Sequence, residues 1–91
     1  MTAVITGGSR GIGLGIAKEL LKEDFTVILT ARNESEEVKE LKEKYGGKVH
    51  FISCDNSKNE DIENLATIVE RDFGKIDLYC EGDPWERYEM S

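Results

Sequence analysis

Four short apolar runs alternate with three stretches of helical periodicity, and this alternation restricts the possible folds more than any other feature. The apolar runs cover residues 3–6, 25–31, 48–54 and 75–80. The stretches between them place apolar side chains three and four residues apart, as on one face of an amphipathic helix. The order β-α-β-α-β-α-β predicts an α/β fold in which helices cover both faces of a parallel sheet. A length of 91 residues favours one domain.

The ends of the helices are predicted from capping residues and glycines. The first helix should run from Gly11 to about Glu23. The second has Asn33 or Ser35 as its N-cap and should end at the glycine pair 46–47.

The third helix is predicted from its apolar stripe and from an S-x-x-E pattern. Ser57 and Glu60 match a capping box, and Gly74 lies where the stripe ends. The stripe itself consists of Ile62, Leu65, Ala66, Val69 and Phe73.

The segment from Thr6 to Gly13, TGGSRGIG, joins the first strand to the first helix. Each glycine in a regular element costs roughly 0.5–1 kcal/mol relative to alanine, so four of them need a compensating role. Glycines let the backbone turn sharply and approach a ligand, and the helix N-terminus presents free N–H groups to a phosphate. In a doubly wound sheet the pyrophosphate of a dinucleotide binds here. The alternative is a glycine-rich turn without a ligand.

This loop resembles the TGxxxGIG fingerprint of the short-chain dehydrogenase/reductases, through Thr6, Gly7, Gly11, Ile12 and Gly13. LTARN at residues 29–33 and SCD at residues 53–55 resemble the same family. The resemblance covers about residues 2–78. It implies a truncated Rossmann-type, doubly wound parallel sheet with strand order 3-2-1-4 and helices on both faces.

The resemblance also implies roles for individual residues. The glycines shape the pyrophosphate loop, Ser9 donates a hydrogen bond within it, and the Asp55 carboxylate contacts the adenine amino group beside the Asn56 backbone. For Asp55, a simple turn residue at the end of a strand is the alternative. The expected cofactor-binding residues are Gly7, Ser9, Arg10, Gly11, Ile12, Gly13, Arg32, Asp55 and Asn56.

The residues after the second strand favour NADP(H) over NAD(H). An NAD-preferring site needs a carboxylate at the end of this strand, where the chain has Ala31 followed by Arg32. Arg10 supplies a second cation in the glycine loop, an arrangement that resembles NADPH-preferring family members. A guanidinium can bind the 2′-phosphate through two hydrogen bonds. A solvated Arg32, with Glu34 accepting from the ribose, is the alternative.

The family's catalytic pattern is missing from these 91 residues. The resemblance implies hydride transfer between NADPH and a carbonyl or alcohol, assisted by a serine and a Tyr-x-x-x-Lys pair. Tyr45 is followed four residues later by Val49 and Tyr79 by Asp83, while Tyr88 lies three residues from the last. We therefore assign no catalytic residue.

The chain is expected to be the NADP(H)-binding portion of such an enzyme, inactive alone. Residues 1–80 would form the dinucleotide-binding half and residues 81–91 a divergent tail. An early stop codon, a frameshift or a deliberate truncation would each produce this pattern. Two other functions stay open: a stand-alone nucleotide-binding or protein-interaction module without catalysis, and a structural protein that binds no nucleotide.

In the family order the fourth strand is internal, so here its outer edge should be open. An exposed parallel edge invites pairing with another chain. We expect a homo-oligomer, a partner-dependent fold or low solubility, unless Trp85 and Tyr88 in the tail cover that surface.

Charge and cysteine content exclude several classes of partner. Twelve Lys and Arg against 19 Asp and Glu give a net charge of −7, which argues against nucleic acid and anionic membrane surfaces. Cys54, Cys80 and His50 have no metal-ligand spacing, so no metal site is expected and two free thiols in a reducing cytosol are predicted. No apolar run approaches the roughly 20 residues of a membrane span. A cytoplasmic location follows as an expectation.

Overall fold

A four-stranded parallel sheet with helices on both faces forms the core of the molecule. The computed structural model describes residues 1–7, 11–55 and 57–81. The strands are β1 (Thr2–Thr6), β2 (Thr26–Ala31), β3 (Val49–Ser53) and β4 (Leu78–Glu81). The helices are α1 (Gly11–Lys22), α2 (Glu36–Tyr45) and α3 (Asn59–Phe73), with a 3-10 turn at Gly46–Lys48. The strand order is β3-β2-β1-β4, which confirms the predicted doubly wound topology.

Alternate residues of β1 and β2 point to opposite faces of the sheet, and each face has its own apolar cluster. We call the side covered by α1 and α2 the closed face; its buried residues are Ile5, Leu14, Ala17, Leu21, Val27, Leu29, Val38, Leu41 and Val49. The side covered by α3 is the open face; its buried residues are Val4, Ile28, Cys54, Leu65 and Val69. Successive residues of these strands are apolar whichever face they point to, as is typical of a sheet that is covered on both faces.

The open face is incompletely covered. A groove of about 590 Å³ lies between α3 and the strands β1 and β4. Ile62 is 43% exposed and Tyr79 61% exposed on its lining, and Ala66 and Leu78 lie beside them. We call this surface the groove. Among the described strands, β4 pairs on one side alone, so its outer edge is unpaired, as predicted.

Each helix ends where a residue adopts a left-handed backbone conformation. Gly46 (φ 60°) follows α2 and Gly74 (φ 71°) follows α3, as their positions in the sequence predict. The end of α1 is different, because Asp24 takes φ 67° there and its carboxylate pairs with Lys48. At the other end of α2, the Ser35 hydroxyl accepts from the Val38 amide at 3.3 Å and is the N-cap.

Two predicted boundaries are wrong. The capping box of Ser57 and Glu60 does not form: α3 begins at Asn59, and Lys58 is its N-cap without a side-chain hydrogen bond. The fourth strand begins at residue 78 rather than 75, and Asp77 just before it bonds to Thr2 at the start of β1. The Thr2 amide donates to Asp77 Oδ2 at 2.8 Å, and the Asp77 amide donates to the Thr2 carbonyl at 2.8 Å.

Candidate functional site

The glycine loop lies at the carboxyl edge of the sheet, between the end of β1 and the start of α1. Gly7 has φ 66° and Gly11 has φ 63°, both in the left-handed region that glycine adopts without strain. A Cβ added at Gly11 would meet nothing within 4 Å, so its glycine is required by conformation rather than by space. The first turn of α1 contains no acidic residue, which leaves its positive end free to attract an anion.

The remaining loop residues are only partly described. Gly13 is buried in α1, whereas Ile12 is 55% exposed. Ser9 and Arg10, predicted to contact the phosphates, lie outside the described residues, as does Asn56. The sequence prediction for those three positions therefore stays a prediction.

The carboxyl ends of β2 and β3 bring Arg32 and Asp55 to the same edge of the sheet. The Ser53 hydroxyl donates to the Arg32 carbonyl at 3.0 Å, and the Cys54 amide donates to the Ala31 carbonyl at 2.9 Å. Arg32 is exposed, and its guanidinium is close enough to contribute to lowering the pKa of the Asp55 carboxyl. A cation and an anion thus follow two neighbouring strands, beside the strand that carries the glycine loop.

Glu34 is engaged elsewhere. Its carboxylate forms an ion pair with Lys42 of α2, with 2.8 Å between Oε2 and Nζ. The side chain of Glu34 is 25% exposed in this pair. If Glu34 accepted from a ribose, it would do so as a carboxylate already paired with Lys42 through Oε2.

Asp55 lies in a network that the sequence interpretation missed. Its Oδ1 atom accepts from the Ser57 hydroxyl at 2.7 Å and from the Ser57 amide at 2.9 Å, and these two bonds are the main cause of its lowered pKa. The Asp55 amide in turn donates to Oδ2 of Asp61 at 2.9 Å. The signal in the sequence was the D-x-S spacing, since aspartate side chains commonly bond to a residue two positions on.

The two cysteines lie on opposite faces of the sheet, and neither is in a disulfide. Cys54 is buried, and its burial, together with the charges of Asp61 and Asp55, raises the pKa of its thiol. No group of histidine, cysteine and acidic residues in the described ranges could hold a metal ion. The helices of those ranges also include none with the length and apolar character needed to span a bilayer.

Comparison with known proteins places these features in one family. The short chain dehydrogenase family model matches residues 1–82. The short-chain dehydrogenase/reductase homolog YusS of Bacillus subtilis is 33% identical over 79 residues, which are 84% of this chain and 72% of YusS.

Two further relatives use or bind an NADP cofactor. L-rhamnose 1-dehydrogenase (NADP(+)) of Thermoplasma acidophilum is 38% identical over 82 residues, covering 87% of this chain and 32% of the relative. The crystal structure of L-sorbose reductase from Gluconobacter frateurii, complexed with NADPH and L-sorbose, is 37% identical. It superposes with a TM-score of 0.76 over 86% of this chain and 31% of its own.

Apart from YusS, these relatives are about three times as long as the chain, which spans 32% of the rhamnose dehydrogenase. The family match nevertheless spans every strand and α-helix in the described part of the chain. By family model, sequence and fold alike, the chain belongs to the short-chain dehydrogenase family of oxidoreductases, whose members bind nicotinamide dinucleotides.

Proposed function

We propose that the chain binds the adenosine and pyrophosphate portion of NADP(H). The observation that carries the proposal is that three groups lie at one edge of the sheet: Gly7 and Gly11 with the α1 N-terminus, Arg32 and Asp55. In an open α/β sheet, ligands bind at the carboxyl ends of the strands where the strand order reverses. Here β1 is that point, because β2 and β4 lie on its two sides.

The described residues fit such a ligand in charge and conformation. The helix N-terminus and the glycine backbone suit a diphosphate, and Arg32 suits a further phosphate. Asp55, with its lowered pKa, is ionised at neutral pH and can only accept hydrogen bonds, which suits an amino group. The proposed binding residues are Gly7, Ser9, Arg10, Gly11, Ile12, Gly13, Arg32, Asp55 and the backbone of Asn56.

Preference for NADP(H) over NAD(H) follows from what stands at the end of β2. Ala31 provides no carboxylate to accept from a ribose 2′-hydroxyl, and Glu34 is paired with Lys42. The guanidinium of Arg32 is exposed and can bind a 2′-phosphate. The NADP(+) and NADPH of the two relatives described above agree with this assignment.

The catalytic contribution of this portion is to bind and orient the cofactor. When bound, NADPH supplies the hydride that a carbonyl substrate accepts. Tyr79, on β4, is 61% exposed and has no lysine four residues later, so no described group matches the family's proton donor. We therefore propose that residues 1–80, with residues 81–91 as a separate tail, bind the cofactor in the cytoplasm without reducing a carbonyl unaided.

The test is a titration of NADPH and NADH against the wild-type chain and Arg32→Ala. Loss of one charge-assisted hydrogen bond is worth about 1.5–3 kcal/mol, so Arg32→Ala should weaken NADPH binding about tenfold or more. NADH binding should stay within about twofold, since that ligand has no 2′-phosphate. Arg71→Ala is the control, because Arg71 lies at the far end of α3 and bonds to Asp72. Unchanged discrimination between the two ligands in Arg32→Ala would overturn the assignment of NADP(H).

A second proposal, association with another copy of the chain, rests on the groove and the unpaired edge of β4. Exposed apolar side chains line the groove, and an unpaired strand edge presents free backbone donors and acceptors. This property fits either the enzyme fragment or a stand-alone interaction module. Restored carbonyl reduction on mixing with the remaining part of a relative would favour the fragment, and stable association without activity would favour the module.

A further inference from the structure

The loop between β3 and α3 holds the Asp55 carboxylate in one orientation. Two donors of one residue, the hydroxyl and the amide of Ser57, converge on Oδ1 at 2.7 and 2.9 Å. The backbone of Asp55 is fixed separately. Its amide donates at 2.9 Å to Oδ2 of Asp61, which lies in the first turn of α3. Ser57 therefore holds the side chain of Asp55, and Asp61 holds its backbone.

These bonds matter because Ser57 is exposed and Asp55 is only half-buried. A carboxylate that is not fully packed otherwise rotates about its terminal bonds, and ordering it on binding costs free energy. Both Ser57 bonds end on Oδ1, and Oδ2 accepts no hydrogen bond from a residue in the described ranges, so Oδ2 is the oxygen that we expect a ligand to address. A carboxylate oriented in advance loses less entropy when it accepts a hydrogen bond from a ligand.

We propose that Ser57 is a positioning residue that orients the Asp55 carboxylate to accept from the exocyclic amino group of adenine. This inference rests on the proposed function, in which Asp55 contacts the adenine ring. It goes further by assigning base selectivity to a residue that does not touch the ligand. Adenine presents an amino group at this position, whereas hypoxanthine presents a carbonyl oxygen that a fixed carboxylate oxygen would repel.

The experiment compares NADPH with its hypoxanthine analogue, reduced nicotinamide hypoxanthine dinucleotide phosphate. The wild-type chain should bind NADPH more tightly. Ser57→Ala removes the hydroxyl bond and keeps the amide bond, so it should weaken NADPH binding about fivefold to tenfold and leave the analogue within about twofold. Ser57→Thr retains a hydroxyl and should restore the wild-type ratio of the two dissociation constants.

Two controls distinguish positioning from a general loss of structure. Thr67→Ala removes an exposed hydroxyl from α3, the helix that follows Ser57, where it donates to the Glu63 carbonyl at 3.0 Å, and it should change neither affinity. NMR titration of the Asp55 carboxyl gives a readout without ligand. In Ser57→Ala its pKa should rise toward the ordinary value for aspartate, because the bonds from Ser57 hold it low.

Each outcome decides the inference. Equal weakening of both ligands by Ser57→Ala, an unchanged ratio, or an unchanged Asp55 titration would overturn it while leaving the proposed function in place. If the wild-type chain binds neither dinucleotide, the proposed function fails and this inference fails with it.

Discussion

The two faces of the sheet are built from the same strands, yet they differ in how completely they are covered. On the closed face, two helices bury side chains such as Leu29 and Val38, which have no exposed surface. On the open face a single helix covers Val4 and Ile28, and its stripe continues into the groove through residues that stay exposed. The strand residues Val4 and Ile28 are buried on this face as well, so the two faces differ in how much of α3 and β4 stays exposed.

The largest expected change in stability comes from replacing one leucine on each face of the sheet. Leu29→Ala leaves a cavity that the surrounding strands and helices cannot fill, and should lower the free energy of unfolding by about 2–5 kcal/mol. Leu65→Ala, on α3, should cost roughly half as much, because its site borders the groove and can relax or admit water. Urea denaturation followed by circular dichroism measures both. Equal losses would show that the open face is packed as tightly as the closed one.

A smaller effect is expected from a pair of threonines on the open face. Thr30 is 1% exposed, and its hydroxyl makes no hydrogen bond within the described part of the chain. Thr30→Val removes an unpaired buried oxygen at nearly constant volume and should raise the free energy of unfolding by about 1 kcal/mol.

Thr6 provides the matched control for Thr30. It pairs with Thr30 across β1 and β2, and its hydroxyl donates to the Cys80 carbonyl at 3.5 Å. Thr6→Val therefore loses a long hydrogen bond and should give no gain in stability. A decrease in stability for Thr30→Val would mean that its hydroxyl has a stabilising partner, and the same denaturation curves would reveal it.

The smallest effect on stability is expected in the groove itself. Ile62→Glu changes a side chain that is 43% exposed and should alter the free energy of unfolding by no more than about 0.5 kcal/mol. It should nevertheless reduce self-association, because a charge on the lining opposes burial against another copy. Sedimentation velocity at several concentrations measures this. Thr67→Glu places the same charge on α3 outside the groove and should leave association unchanged. A wild-type chain that is monomeric throughout would contradict the proposed association.

Much of the fold could be predicted because local patterns and tertiary packing agree. The periodicity of Val38 and Leu41 identifies the face of α2 that packs on the sheet, and Gly46 and Gly74 mark helix ends through their backbone freedom. Asp24 was not predicted as a helix end, since aspartate adopts positive φ far less often than glycine.

The cofactor-binding role of the predicted site residues stays a prediction, and the structure adds hydrogen bonds that the sequence did not indicate. Gly7 and Gly11 have the conformations that the loop pattern requires, and Arg32 and Asp55 lie at the expected edge. Ser57 matched a capping pattern in the sequence, whereas its hydroxyl bonds to Asp55 in the structure. Two local hydrogen-bonding patterns competed for one hydroxyl, and sequence spacing does not reveal which of them has the lower free energy.

The mutual bonds between Thr2 and Asp77 join residues 75 positions apart, and they bear on the order of events during synthesis. The strand β1 leaves the ribosome before its neighbour β4, because α1, β2, α2, β3 and α3 lie between them in the chain. One side of β1 therefore stays without this partner while the residues between the two strands are being translated. Pairing over so long a separation is slow to form. Chaperones that shield unpaired strands should therefore act on the nascent chain until residue 81 has emerged.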